Sequence, residues 1–310
     1  MRWKKMGLIF RPTNNHEWMT SHASLPLPDK ISDDVVRIYF STRSREGKSA
    51  TTFLEADAGN PARVRYVHDR PVLSPGKLGT FDDDGAAPYS LVKQGHRKFL
   101  FYGGCNVGVS VPYRNAIGLA VSEDDGVTFK RVCEGPVVDR NQDEPYFTAA
   151  ADVMHCGDHW KMWYGSATGW AIINDKTEPR YQIKYAESAD GISWVRGNIT
   201  CIEYKGPGEA NVRPCVVKEN GLYKMWYCYR GSVNFRTDKA QSYRLGYAES
   251  LDGVRWTRKD EEVGIDRSEE GWDSQMMSYP YIYRHEGKTY LLYNGNGFGE
   301  SGFGFAVLEE

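Results

Sequence analysis

Lys161-Met-Trp-Tyr164 and Lys224-Met-Trp-Tyr227 are the same four residues 63 positions apart. Three further segments share their pattern of a short strand ending in aromatic side chains: Val36-Arg-Ile-Tyr39-Phe, Lys98-Phe-Leu-Phe-Tyr102 and Tyr290-Leu-Leu-Tyr293. The tyrosines Tyr39, Tyr102, Tyr164, Tyr227 and Tyr293 follow one another at intervals of 63, 62, 63 and 66 residues in a chain of 310. A fixed period of this size marks one supersecondary unit used repeatedly, and it outranks any local assignment of structure.

Around each aromatic strand the same order recurs. An apolar strand precedes it across a polar turn, and a loop of variable length leads to a third strand that ends on Asp-Gly. The third strands read Ile117-Gly-Leu-Ala-Val-Ser122-Glu-Asp-Asp-Gly126, Ile183-Lys-Tyr-Ala-Glu-Ser188-Ala-Asp-Gly191 and Leu245-Gly-Tyr-Ala-Glu-Ser250-Leu-Asp-Gly253. Asp-Gly between alternating strands is a hairpin signal, because glycine accepts the positive φ that such a turn demands. An aromatic residue follows each turn (Phe129, Trp194, Trp256) and opens a fourth strand. Four strands per unit and five units predict an all-β, five-bladed β-propeller with four-stranded antiparallel blades, a single domain over residues 1–310.

The last repeat starts near Met276 and reaches Val307-Leu-Glu-Glu310 with only three strands, whereas the strand-like stretch Trp3–Phe10 belongs to no other repeat. The expectation is that the N-terminal strand completes the last blade and closes the ring, leaving no open edge between first and last blades. No segment keeps a 3.6-residue apolar period over ten residues, so helix should be nearly absent.

Composition narrows the function. The chain carries 39 Lys+Arg against 41 Asp+Glu, scattered along its length. That balance removes the electrostatic case for nucleic acid or an anionic membrane as partner, and points to a ligand that is neutral or carries few charges. No stretch has the roughly 18–20 apolar residues of a membrane helix. Met1-Arg-Trp-Lys-Lys-Met-Gly-Leu-Ile-Phe10 has no small-residue cleavage site, so no secretory leader is expected and the setting is cytoplasmic. The six cysteines show neither CxxC pairs nor zinc-ligand spacing, so no metal, disulfide framework or cofactor is called for.

Residues ahead of each first strand should face the mouth of a central funnel. Counting back 13 residues from the aromatic-strand tyrosines gives Pro26, Ala151, Pro214 and Pro280, and 14 from Tyr102 gives Pro88. Five residues before that position lie Ser21, Asp83, Tyr146, Glu209 and Gln275; four before it lie His22, Asp84, Phe147, Ala210 and Met276. Asp83 or Asp84 with Glu209 could therefore converge across the axis as the carboxylate pair that glycosidic chemistry requires. In Phe81-Asp82-Asp83-Asp84-Gly85 the alternative is a cation-holding or solvated turn. Glu209 with Arg213 is either an acid and a cation at the mouth or a structural ion pair. Trp18, His22, Asp152, Arg213, Asp273 and Tyr279 are the candidates for contacting sugar hydroxyls and ring faces.

The repeat and the Ser-x-Asp-Gly-x-x-Trp hairpins at Ser188 and Ser250 resemble the five-bladed propeller glycosidase superfamily, which includes arabinanases, xylosidases, invertases and mannoside phosphorylases. The resemblance spans the whole chain and implies activity on glycosides through a carboxylate pair in the funnel. Arabinanase-like members carry an aspartate directly before the blade-one proline, where this chain has Leu25, and another after the Ala-Pro of blade two, where it has Tyr89. The Asn-Asp-Pro motif of invertases is missing. Gly79-Thr-Phe-Asp-Asp-Asp-Gly85 and Tyr293-Asn-Gly-Asn-Gly297 resemble propeller proteins of bacterial surface-polysaccharide gene clusters. Ser122-Glu-Asp-Asp-Gly-Val-Thr-Phe129 resembles the folding turn of sialidases, without their arginine triad.

The resulting expectation is a carbohydrate-active, glycoside hydrolase-like enzyme with Glu209 as general acid and Asp83 or Asp84 as base or nucleophile. Two alternatives stand beside it. A glycosyl transferase or phosphorylase would add a phosphate-binding cluster drawn from Arg213 with Arg230 or Arg236. A non-catalytic glycan-binding propeller would need no carboxylate pair.

Overall fold

The computed structural model describes residues 1–14, 16–231 and 233–309. Among these the chain is all-β, its only helical pieces being a 3-10 turn at Asp260–Glu262 and a four-residue turn at Asn296–Gly299. The strands fall into antiparallel groups of four. Unit one holds β2 (Ser21–Lys30), β3 (Val35–Arg43), β4 (Ser49–Asp57) and β5 (Val64–Val67). Unit two holds β6 (Gly85–Gln94), β7 (Arg97–Val107), β8 (Tyr113–Ser122) and β9 (Lys130–Arg131), and its strands pair with those of unit one only at Ser49 and Gly85, in parallel. Unit three is β10 (Thr148–His155), β11 (Trp160–Ile173), β12 (Lys176–Ser188) and β13 (Val195–Thr200). Unit four is β14 (Ala210–Glu219), β15 (Leu222–Arg230), β16 (Arg244–Ser250) and β17 (Thr257–Arg258).

The fifth group is completed from the other end of the chain. β18 (Ser278–His285), β19 (Lys288–Asn294) and β20 (Phe303–Leu308) supply three strands, and β1 (Trp3–Phe10) pairs antiparallel with β20 from Trp3 opposite Leu308 to Phe10 opposite Phe303. The first strands also touch in cyclic order: β2 meets β6, β6 meets β10, β10 meets β14, β14 meets β18, and β18 returns to β2. The aromatic second strands are buried on both faces because each sheet is covered by its neighbours. In β3 only the two terminal residues escape full burial.

All five first strands carry the same bulge, in which two residues oppose one on the second strand. The paired residues are Leu25-Pro26 against Phe40, Pro88-Tyr89 against Tyr102, Ala150-Ala151 against Tyr164, Arg213-Pro214 against Tyr227, and Tyr279-Pro280 against Tyr293. Leu25, Ala150, Arg213 and Tyr279 take positive φ there, between 52° and 60°. Each non-glycine residue in that region costs about 1–2 kcal/mol, so a strained position is repeated at the inner wall. In unit two the place belongs to Pro88, whose ring holds φ negative.

This register corrects two sequence alignments. The partner of Tyr102 in unit one is Phe40 rather than Tyr39, and the equivalent of Pro26 in unit two is Tyr89 rather than Pro88. Asp84, not Asp83, therefore occupies the position of Glu209. A proline dipeptide motif cannot reveal which of its residues is bulged.

The Asp-Gly turns close through side chains. In unit three the Ser188 hydroxyl accepts the Gly191 N–H (2.9 Å), and Asp190 accepts those of Ile192 (2.8 Å) and Ser193 (2.7 Å), with Gly191 at φ 76°. Ser250, Asp252 and Gly253 repeat the arrangement in unit four.

Candidate functional site

All five first strands contribute to a central cavity of about 100 Å³. Leu25, Tyr89, Ala150, Val212 and Tyr279 come from units one to five in turn, and Tyr113, Phe147 and Tyr181 complete an aromatic wall. Asn115 is its one amide side chain. Burial pushes the Tyr89 hydroxyl up to about 12 and that of Tyr279 well above the ordinary phenol range, so both stay protonated donors at neutral pH. The wall thus offers ring faces and neutral donors, a surface suited to an uncharged ring bearing hydroxyls. Further aromatics pack around it: Trp170 on Tyr113 (5.4 Å) and Phe147 (5.5 Å), and Phe298 on Tyr243 (5.9 Å).

Two charged residues lie buried against this wall. Arg213 is 0% exposed; its Nη1 donates to the carbonyls of Tyr89 (2.7 Å) and Ala151 (3.1 Å), and its guanidinium lies between the Tyr89 and Tyr281 rings. Asp152 accepts the Ser90 hydroxyl (2.9 Å) and the Val216 N–H (2.6 Å), so one carboxylate of unit three ties units two and four together. Its burial raises its pKa, opposed by those hydrogen bonds and by Arg213. Both residues were expected to contact a ligand. Asp152 spends its bonds on neighbouring units, whereas Arg213 uses only Nη1 in this way and its buried Nε and Nη2 have no partner among the described residues.

The carboxylates of the mouth follow a repeated rule. In unit two the Tyr102 hydroxyl donates to Asp82 (3.0 Å), which Arg131 of β9 also holds (2.7 Å). In unit three Tyr164 donates to Glu144 (2.8 Å), with Arg196 of β13 at 3.8 Å. Tyr227 of unit four donates to Asp260 (2.6 Å), held by Arg258 of β17 (2.7 Å). In unit five Tyr293 donates to Asp273 (3.0 Å), and the base is Lys5 of β1 (2.7 Å), which occupies the fourth-strand place that Arg131, Arg196 and Arg258 occupy elsewhere. Asp273 is thereby a buried fastening rather than an open hydrogen-bonding group.

Glu209 is drawn into the same network. Its two oxygens face Arg258, one at 3.0 Å, and it is 8% exposed. Its ion pair is with Arg258, from the end of its own unit, and not with Arg213. Asp83 accepts the Gly79 N–H (2.8 Å) and the Asn106 amide, while Asp84 accepts the Val107 N–H (2.7 Å) and stands 3.7 Å from Lys48. Asp83 and Asp84 share Lys48, which donates to the Asp83 carbonyl (3.1 Å), but neither shares a partner with Glu209, and none of the three lines the central cavity. Among the described residues no group of three His, Cys, Asp or Glu side chains is arranged to hold a metal ion.

Of the remaining candidates, only Tyr279 reaches the cavity wall. His22 hydrogen-bonds Ser21 (3.0 Å), and burial with the nearby Arg43 lowers its pKa to about 4, so it is neutral at physiological pH. Trp18 stacks on His16 at 5.3 Å. Sequence reasoning missed Tyr113, Asn115 and Tyr181. For Tyr181 a signal existed: Tyr243 follows it by 62 residues, the repeat interval, and the two hydroxyls hydrogen-bond to each other and to Arg230.

Comparison with known proteins agrees with this architecture. No family profile matches the chain. Two proteins of Mycobacterium tuberculosis do: MT1551 of strain CDC 1551 is 39% identical and Rv1502 of strain H37Rv 38% identical, each over 310 residues and the full length of both chains. The chain belongs to the family of these two mycobacterial proteins. Solved structures similar to it include a complex of BT0996 with RGII (TM-score 0.73, 20% identity, 98% of this chain and 90% of that one). A thermostable family-43 glycoside hydrolase aligns with TM-score 0.67 and 16% identity, over 94% and 90%. A structure from the GH130 family of mannoside phosphorylases and glycoside hydrolases aligns with 0.69 and 13%, over 98% and 93%. The chain therefore has the fold of the propeller glycosidase superfamily that its repeats resemble. Leu25 and Tyr89, the two positions where that resemblance expects aspartates, both line the central cavity.

Proposed function

We propose that the five units are the blades of one ring-shaped domain, closed by β1, and that the protein is a carbohydrate-active, glycoside hydrolase-like enzyme that receives a sugar in the central cavity. The observation that carries this reading is the cavity itself, an aromatic wall with protonated tyrosine hydroxyls and one free amide, on the fold of glycoside hydrolases. Asp83, Asp84 and Glu209 are the carboxylates proposed to act on the glycosidic bond. Asp84 and Glu209 hold equivalent places in units two and four, and Asp84 is the more open. Transfer or phosphorolysis is less well supported. Arg230 already donates to the carbonyls of Pro179 (2.6 Å) and Gly231 (2.8 Å), and Arg236 pairs with Glu178 (3.0 Å).

A second reading, glycan binding without cleavage, is favoured by Leu25 and Tyr89 standing where the fold's glycosidases are expected to carry carboxylates. One experiment separates the two. Binding and product release are followed for a panel of oligosaccharides, with and without phosphate, on the intact protein and on Asp84→Asn and Glu209→Gln. An enzyme loses turnover by about 10²–10⁴-fold in the Asp84 variant while still binding its sugar. Tight binding with no product from any member of the panel establishes the second reading, and no binding at all defeats both.

A further inference from the structure

A second, more polar space opens between units two and three. A groove of about 300 Å³ runs beside the central cavity, with Asn106, Arg114, Asn115, Asp139 and Arg140 among its walls. Asn115 lines both spaces, so the groove adjoins the cavity at this residue.

The arginines of this groove differ from four arginines of unit four. Arg213, Arg230, Arg236 and Arg258 all give hydrogen bonds to carbonyls, hydroxyls or carboxylates of the protein. Among the described residues the Arg114 guanidinium makes no hydrogen bond or ion pair. That of Arg140 reaches only Asp139, at 3.7 Å. Asp139 is in turn engaged by the Arg140 backbone N–H at 2.7 Å. The other acids near the groove, Asp83 and Asp84, are turned into backbone and amide donors at Gly79, Asn106 and Val107. The Asn115 amide, at the junction, also has no partner among the described residues.

We infer that this groove is a subsite for an acidic substituent on the bound glycan, an oxyanion such as a carboxylate or phosphate gripped by Arg114 and Arg140. The planar fork of arginine matches either oxyanion with two parallel hydrogen bonds, which an ammonium cannot do. The central cavity suits an uncharged ring and Asn115 borders both spaces, so the anion belongs to a neighbouring residue or substituent of the same ligand. The subsite rests on the carbohydrate reading above, and its test is built to fail separately from it.

The full chain is titrated calorimetrically with hexose oligosaccharides, with their uronate and phosphate counterparts, and with inorganic phosphate alone. An acidic ligand should bind about 10-fold or more tightly than its neutral counterpart, a gain of about 1.4 kcal/mol that falls with added salt. Whichever acidic arm binds identifies carboxylate or phosphate as the source. The preference should collapse to within about twofold in the Arg114→Gln/Arg140→Gln double variant and be only partly kept by Arg114→Lys/Arg140→Lys. Both variants change exposed side chains, so their thermal unfolding should match the parent. Equal binding of neutral and acidic sugars, or a preference that survives the double glutamine variant, overturns the subsite and leaves the carbohydrate reading intact. Binding of phosphate alone, or of nothing, overturns both.

Discussion

Units two to five and unit one solve the same packing problem in opposite ways. Where Tyr102, Tyr164, Tyr227 and Tyr293 each donate a hydroxyl to a buried carboxylate held by a fourth-strand base, unit one has Phe40. Its ring packs on Phe10 of β1 (5.2 Å) and Phe303 of β20 (5.7 Å). At this place the contact between units one and five is thus aromatic, while units two to five fasten their sheets with charge. The difference teaches how to read acids at the mouth. An aspartate or glutamate that faces a second-strand tyrosine is a fastening, whereas the Asp84 carboxylate, outside that reach, is held among the described residues only by the Val107 N–H and by Lys48 at 3.7 Å.

The largest expected effect comes from breaking a fastening. Asp82 is 0% exposed and accepts from Tyr102, Arg131 and Thr80. Asp82→Ala strands a hydroxyl and a guanidinium and should lower stability by roughly 3–5 kcal/mol, read from the urea midpoint. A loss below about 1 kcal/mol would mean that the carboxylate is not what holds unit two.

Importing the polar solution into this aromatic contact should be milder. Phe40→Tyr buries a hydroxyl facing Phe10 and Phe303 with no carboxylate opposite, at a cost of about 1–3 kcal/mol. Stabilisation instead would show that the contact already holds an acceptor.

The smallest effect concerns the outer turns. The backbone N–H groups of Ser193 and Ile192 lower the pKa of Asp190 to about 2. A carboxyl with a depressed folded-state pKa stabilises above its ordinary value, near 4, and that contribution is lost as pH falls toward 2. Asp190→Asn should therefore be less stable than the parent at neutral pH and converge with it near pH 2, measured by urea midpoints across that range. Parallel curves would remove Asp190 from the acid response.

How much of the candidate site was legible depends on distance along the chain. Tyr279 was among the candidates and lies within β18, and Leu25 and Tyr89 stood out as departures at positions that do line the cavity. Glu209 was placed at a mouth with Arg213, two turns of strand away, whereas its partner Arg258 lies 49 residues on. Asn115 and Arg114 carry no motif at all. They become neighbours of the cavity only because β8 starts beside it.

What the sequence determined by itself is the repeat: strands grouped in fours, Asp-Gly turns at their outer ends, and an N-terminal strand completing the fifth group, which β1 does by pairing with β20. Apolar periodicity and turn chemistry are local, and five copies reinforce one another. The tertiary structure decided the register and the partners. Side chains alternate faces with a period of two, so the one-residue step from Tyr39 to Phe40, or from Pro88 to Tyr89, moves a residue to the other face of its sheet while barely disturbing the repeat interval. Which acid is fastened then follows from bases on the fourth strand of its own unit, which only the folded sheet brings within hydrogen-bonding distance.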